Sequence, residues 1–263
     1  MPESSQINAR TDFLNKLPGA PASVLLLDYD GTLAPFHVER DRAYPYPGIL
    51  PLLGAIQQTG RTAVIVITGR PVEEVQALLQ PLAGIEIWGA HGLDHLLPNG
   101  TREQVPIDPS LTHALQRAEE WLHSQGMSAL AEVKPGGVAV HWRGMSEDQI
   151  QEIRSSTLQG WAPLAEPKGL KLLHFEGGIE LRVTRPDKGD AVGAVLRDLD
   201  LSVPVAFLGD DLTDEDGFRK LAQRGLSILV RNEYRETAAT SWLKPPQELT
   251  SFLEQWLRRT SIS

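Results

Sequence analysis

Hydrophobic positions change their spacing in an ordered way along this chain. The uninterrupted run Val24-Leu25-Leu26-Leu27 is followed by Ile49, Leu52, Leu53 and Ile56 at helical spacing, closed by Gly60 as a C-terminal cap, and then by a second apolar run over 62–68. Pro71 opens another helix with Glu73 and Glu74 in its first turn, where acidic side chains suit the helix dipole, and Ile85-Glu86-Ile87-Trp88 follows as a third short strand. Strands that are apolar throughout and joined by helices predict a parallel sheet covered on both faces.

The pattern then switches. Leu97-Pro98-Asn99-Gly100-Thr101 carries an Asn-Gly hairpin signal, and 111–123 reads as a helix. Runs over 129–133 and 138–142 flank Lys134-Pro135-Gly136-Gly137 as a hairpin does. Ser146 with Gln149 three residues on forms a capping box for a helix to about Gln159, and runs over 170–175 and 179–184 bracket Glu176-Gly177-Gly178. Hairpin, helix, hairpin is an antiparallel α+β pattern. The chain is therefore expected to be an α/β protein, with a parallel-sheet core from 1–104 and 185–263 and an inserted α+β domain at 105–184. Alternation resumes with a helix over 188–199, strands over 205–208 and 226–230 around a helix over 214–224, and a terminal helix with Leu249, Phe252, Leu253, Trp256 and Leu257 on one face. Asn99-Gly100-Thr101 also fits a glycosylation sequon, but the turn is the reading consistent with an N-terminus that shows no secretory signal.

At 263 residues there is enough chain for one core domain and a smaller insert. With 25 basic against 34 acidic residues and no Lys/Arg-rich block, a nucleic-acid or anionic-membrane footprint is missing. No cysteine is present, which excludes disulfides and thiolate chemistry, and no stretch approaches a membrane span. A cytoplasmic monomer that acts on a small molecule is expected.

Chemistry enters at the ends of the strands. Asp28-Tyr29-Asp30-Gly31-Thr32 follows the first apolar run, and alternation would set Asp28 and Asp30 on one side, where close carboxylates call for a hard cation such as Mg2+. Thr68-Gly69-Arg70, Ala90-His91-Gly92 and Gly209-Asp210-Asp211-Leu212-Thr213-Asp214 follow later strands, and Lys188 opens the helix after the insert. Open α/β sheets bind ligands at this edge. Phosphoryl transfer needs a metal, a cation and fixed donors. Asp28, Asp210 and the Asp30 carbonyl would hold Mg2+, with Asp214 or Asp211 anchoring its waters, and Lys188 and Thr68 would bind the phosphoryl oxygens. Asp28 would attack phosphorus, and Asp30 would serve as general acid and then general base.

Asp28-Tyr29-Asp30-Gly31-Thr32-Leu33, Thr68-Gly69-Arg70, Lys188-Gly189 and Gly209-Asp210-Asp211-Leu212-Thr213-Asp214-Glu215-Asp216 resemble the four motifs of the haloacid dehalogenase superfamily. The narrower spelling, DYDGTL with GDDLTDED, a His91-Gly92 pair and an insert between the second and third motifs, is similar to the trehalose-6-phosphate phosphatase family. The resemblance covers roughly residues 22 to 260 and implies a Rossmann-like core, an inserted cap and Mg2+-dependent hydrolysis of trehalose 6-phosphate. It also implies a separate sugar-phosphate synthase upstream, and sugar-side groups drawn from the cap. Lys134, His141, Arg143, Glu176, Glu180 and Arg182 are the candidates there, Glu180 first and then Lys134 and Arg143, while Arg70, His91 and Gly92 are candidates on the core side. Alternation puts His141 with Arg143, puts Glu180 with Arg182, and leaves Lys134 at a turn. Related members act on sucrose 6-phosphate, glucosylglycerol phosphate or mannosylglycerate phosphate, and these readings stay open, as do a sugar phosphomutase and a non-catalytic sugar-phosphate-binding module.

Overall fold

In the computed structural model, which describes residues 3–165, 169–175 and 177–261, apolar runs become strands and helical spacings become helices in the order expected. Glu176 lies outside the described residues. The chain runs α1 (Glu3–Leu14), β1 (Ser23–Leu27), α2 (Ile49–Gln58), β2 (Thr62–Ile67), α3 (Val72–Leu78), β3 (Glu86–Gly89), β4 (Asp94–Leu96) and β5 (Arg102–Gln104). It continues through α4 (Pro109–Ser124), β6 (Ala131–Lys134), β7 (Gly137–His141), α5 (Glu147–Ala165), β8 (Leu170–Phe175) and β9 (Gly178–Val183). The last stretch is α6 (Lys188–Arg197), β10 (Val205–Gly209), α7 (Glu215–Leu221), β11 (Leu226–Val230), β12 (Ser241–Leu243) and α8 (Gln247–Thr260). Two units result: Met1–Glu103 with Asp187–Ser263, and Gln104–Pro186.

The first unit is built on a sheet of order β12-β11-β10-β1-β2-β3-β4-β5. Neighbours are parallel from β12 to β3, and β4 runs antiparallel to β3. β1 is apolar throughout because each face meets a different core. Leu25 and Leu27 enter the core that holds Phe252 and Trp256 of α8, whereas Val24 and Leu26 enter the core that holds Val192 of α6 and Phe218 of α7. The chain leaves β1 toward β2 on one side and returns to β10 on the other, so strand order reverses between β1 and β10. That reversal opens a crevice beyond the carboxyl ends of these two strands.

The second unit is an antiparallel sheet of order β6-β7-β9-β8 with α4 and α5 packed on it. Val138, Val140, Ile179 and Leu181 alternate toward the helices and are buried, with Trp161 of α5 donating from Nε1 to the Ala118 carbonyl of α4 at 3.3 Å. Asp108 caps α4 by accepting from the Ser110 amide at 2.8 Å. The Ser146 capping box forms as read from the sequence, with the Ser146 amide donating to Gln149 Oε1 at 3.0 Å.

Differences from the sequence reading include α1, β4, β12 and the end of α5. α1 has no apolar stripe before Phe13 and Leu14, β12 has three residues, and β4 is interrupted by polar His95; none carries a periodic signal. α5 runs past Gln159 to Ala165 because Trp161 is wholly buried against α4 and holds the last turns in place. Among the described residues no helix is long and apolar enough to cross a membrane.

Candidate active site

β1 ends at Leu27, and the next residue, Asp28, follows the parity of Val24 and Leu26, toward the face covered by α6. Lys188, the first residue of α6, meets it there: Lys188 Nζ lies 2.6 Å from Asp28 Oδ1 and 2.7 Å from Asp214 Oδ1, and all three side chains are buried. Asp187 caps this helix, its carboxylate accepting from the Asp190 amide at 3.0 Å, so the lysine's position is set by a helix terminus. Asp214 Oδ2 accepts from the amides of Asp210 and Asp211, each at 3.0 Å, which folds the loop after β10 back on itself.

One oxygen each from Asp28, Asp210 and Asp214 gather within 4.8 Å of one another. Among the described residues, one ammonium thus faces three buried carboxylates. Burial pushes the Asp28 carboxyl up to about 7, against the pull of Lys188 and with the help of Asp214 and Asp30. Burial and the charge of Asp28 also hold the Asp210 carboxyl well above its ordinary range. On Lys188 burial works against the charge, yet Asp214 and Asp28 raise its ammonium above its usual value. A donor set of oxygen only, buried and short of positive charge, fits a hard divalent cation. Asp28, Asp210 and Asp214 are the residues that could hold it.

Asp30 does not join this group through its carboxylate. The strand has ended, Gly31 turns the chain with φ +79°, and Asp30 faces Arg70, which donates from Nε and Nη2 to its two oxygens at 2.6 Å each. β1 ends at Leu27, so strand parity does not carry to Asp30, and its carboxylate does not converge with that of Asp28 as expected. Arg70 was expected to face sugar. It is buried instead, and its fork is committed to Asp30, to the Arg40 carbonyl at 2.9 Å and to Glu74 at 3.4 Å. Asp211 likewise lies outside the group of three and caps the following turn, accepting from the Leu212 amide at 2.7 Å.

Thr68 is buried after β2, with Oγ1 accepting from the Arg70 amide at 3.2 Å and its carbonyl accepting from the His91 amide at 2.9 Å. Ala90 and His91 both take positive φ, 46° and 59°, a strained pair for residues with side chains. The His91 ring consequently lies over Gly69, where a Cβ would come 2.6 Å from His91 Nε2. Gly92 is buried beside it. The segments after β2 and β3 are thus tied into one platform.

A family model for trehalose-phosphatases matches residues 26–246. The chain belongs to the trehalose-phosphatase family. Trehalose-phosphate phosphatase B of Arabidopsis thaliana is 30% identical over 97% of this chain and 72% of its own length. A trehalose-phosphate phosphatase of Mycobacterium tuberculosis is 31% identical over 89% of this chain and 61% of its own length. Among solved structures, the C-terminal domain of trehalose-6-phosphate phosphatase from C. albicans superposes with a TM-score of 0.80 at 18% identity, covering 97% of both chains. A haloacid dehalogenase-like hydrolase from B. subtilis gives 0.62 at 15% identity over 88% of this chain and 99% of that one. The fold is that of the haloacid dehalogenase superfamily, and the family is one of phosphoric monoester hydrolases.

In this trehalose-phosphatase family member the second unit carries a second polar cluster. Register pairs Ala139 with both Glu132 and Glu180, and Gly137 with both Lys134 and Arg182, so these charged residues share the sheet face opposite the helices. Lys134 Nζ lies 3.0 Å from Glu180 Oε1, and the carboxylate sits over Gly137. His141 Nε2 lies 2.7 Å from Glu132 Oε2, and Arg182 donates to the Pro186 carbonyl at 2.6 Å. Lys134 is the last residue of β6, not part of the turn, which explains how it reaches Glu180. β7 ends at His141, and Arg143 beyond it packs against Gly177.

Sequence reasoning missed Arg235 and Glu215. Glu215 Oε1 accepts from Arg235 Nη1 and from Thr237 Oγ1, and Oε2 accepts from the Ala238 amide at 2.8 Å, while Arg235 Nη2 donates to the Asp210 carbonyl at 3.3 Å. Charged residues in a polar loop have no periodicity, so only the GDDLTDED run hinted at Glu215.

Proposed function

We propose that this protein hydrolyses trehalose 6-phosphate to trehalose and phosphate with Mg2+, by way of a phosphate ester of Asp28. One observation carries the reading: Lys188 bridges Asp28 and Asp214 beside Asp210, at the point where strand order reverses. Family membership supports the sugar. Asp28, Asp210 and Asp214 would hold Mg2+, which when bound offsets charge on the phosphoryl oxygens.

The chain's own residues do the rest. Lys188 holds Asp28 Oδ1 and keeps it oriented toward the attack, and Thr68 with Lys188 binds phosphoryl oxygens. An Asp28 oxygen bonds to phosphorus as the bond from phosphorus to the sugar oxygen breaks, and that oxygen takes a proton from Asp30. Asp30 then takes a proton from water, whose oxygen attacks phosphorus and frees Asp28 and inorganic phosphate. Both Asp30 oxygens accept from Arg70, so the Asp30–Arg70 pair has to open before Asp30 can pass a proton to the sugar oxygen. The second unit supplies Lys134 and Glu180, with His141 beside them, as groups suited to sugar hydroxyls.

Phosphate release from a panel of trehalose, sucrose, glucosylglycerol and mannosylglycerate phosphate esters tests the substrate. Trehalose 6-phosphate is expected to give the highest kcat/KM. A tenfold preference for another ester, or transfer of phosphate to sugar in place of water, would overturn this reading.

A further inference from the structure

Asp210 has both of its peptide groups fixed. Its amide donates to Asp214 Oδ2 at 3.0 Å, inside the acidic group, and its carbonyl accepts from Arg235 Nη2 at 3.3 Å, from outside it. Arg235 comes from the loop between β11 and β12, and Glu215 staples that loop to the start of α7 through Arg235, Thr237 and the Ala238 amide. The guanidinium side chain is 20% exposed, and its buried Nε has no hydrogen-bond partner among the described residues. An arginine placed for stability alone would satisfy that donor. Nη1 donates to the Glu215 carboxylate and to the Glu236 carbonyl at 3.0 Å, and Nη2 donates to the Asp210 carbonyl, so the side chain ties its own loop to the acidic turn.

We infer that Arg235 is a positioning residue for the cation site: it fixes the Asp210 peptide so that the Asp210 carboxylate points at Asp28 and Asp214. This rests on the proposed metal-dependent hydrolysis only in so far as the three carboxylates hold a divalent ion. Groups that orient a ligand from behind set its affinity by tenfold or more. Arg235 touches neither sugar nor phosphate in this role.

The test reads metal binding directly, by thermal shift and by Mn2+ titration followed by electron paramagnetic resonance, on the full chain. R235M is expected to weaken Mn2+ binding about tenfold and to need about tenfold more Mg2+ for half-maximal phosphate release, with KM for the sugar phosphate unchanged at saturating Mg2+. T237V, which removes a bond to Glu215 on the far side of the staple, is expected to bind metal as wild type does. If R235M does not fold, R235K carries the same test, since one ammonium cannot span Glu215 and the Asp210 carbonyl. Wild-type metal affinity in R235M or R235K, or an equal loss in T237V, would overturn the positioning role while leaving the metal site standing. A wild-type protein with no metal-dependent shift would overturn the metal site and this role with it.

Discussion

The carboxyl edge of the parallel sheet and the polar face of the antiparallel sheet are both dense in charge, yet they balance it differently. At the edge, Asp28, Asp210 and Asp214 share the single ammonium of Lys188, and burial raises two of the three carboxyls. On the antiparallel face, Lys134 is matched by Glu180, and His141 is hydrogen-bonded to Glu132. A surplus of buried negative charge is costly unless a cation joins it, so the first cluster is suited to holding one. A balanced cluster can exchange its internal partners for neutral hydroxyls at little electrostatic cost, which suits recognition. On the proposed function the contrast separates chemistry from specificity within one chain, and it can be broken.

The largest effect is expected at Asp28. D28N keeps the shape of the side chain and removes the attacking oxygen, so phosphate release should fall by at least about three orders of magnitude, roughly 4 kcal/mol in the barrier, while circular dichroism stays native. Turnover within tenfold of wild type would remove Asp28 from the reaction.

Next comes the metal and its competition with protons. Asp28 titrates near 7 in the folded chain against 3.8 ordinarily, so its contribution to metal-free stability is complete below about pH 4 and is lost as pH rises through about 7. The gain in Tm on adding Mg2+ should therefore be larger at about pH 8 than at about pH 5.5, and chelation should stop phosphate release at either pH. Equal gains at the two values would mean that the raised carboxyls are not the ligands.

How much of this was legible beforehand follows the same division. Asp28, Thr68, Lys188 and Asp210 stand directly after apolar runs or at a helix start, where strand ends and caps leave a periodic mark, and the structure brings their elements to one sheet edge. The Asp30–Arg70 pair was not legible, because it depends on the chain turning at Gly31 and on Arg70 being drawn under the segment that carries Arg40. Arg235 was invisible for a related reason: its loop has no apolar frame, and only the return of β12 beside β11 brings it to Asp210. In the second unit, alternation found the shared face of Glu180 and Arg182, but the ion pair between Lys134 and Glu180 needed the register of β6 on β7 and β7 on β9.

A smaller effect sharpens the recognition half. E180A leaves Lys134 without its carboxylate and removes an acceptor for sugar hydroxyls. KM for trehalose 6-phosphate should rise about tenfold to a hundredfold, or about 1–3 kcal/mol, with KM for a small aryl phosphate unchanged. A parallel rise for both substrates would place Glu180 in the structure of the unit and not in sugar binding.

The smallest expected effect is also the control that makes the previous one interpretable. Asp108 caps α4 in the same unit, its carboxylate accepting from the Ser110 amide and hydroxyl, and it lies on the exposed side of that helix. D108A should cost about 1 kcal/mol of unfolding free energy, the usual worth of an N-cap, read as a lower urea midpoint with an unchanged slope. Because the polar sheet face lies opposite the helices, neither KM should move. If D108A raised KM for trehalose 6-phosphate as E180A does, any loosening of this unit would suffice to weaken the sugar. The balanced charges of Lys134 and Glu180 would then be holding the sheet together and not reading the substrate.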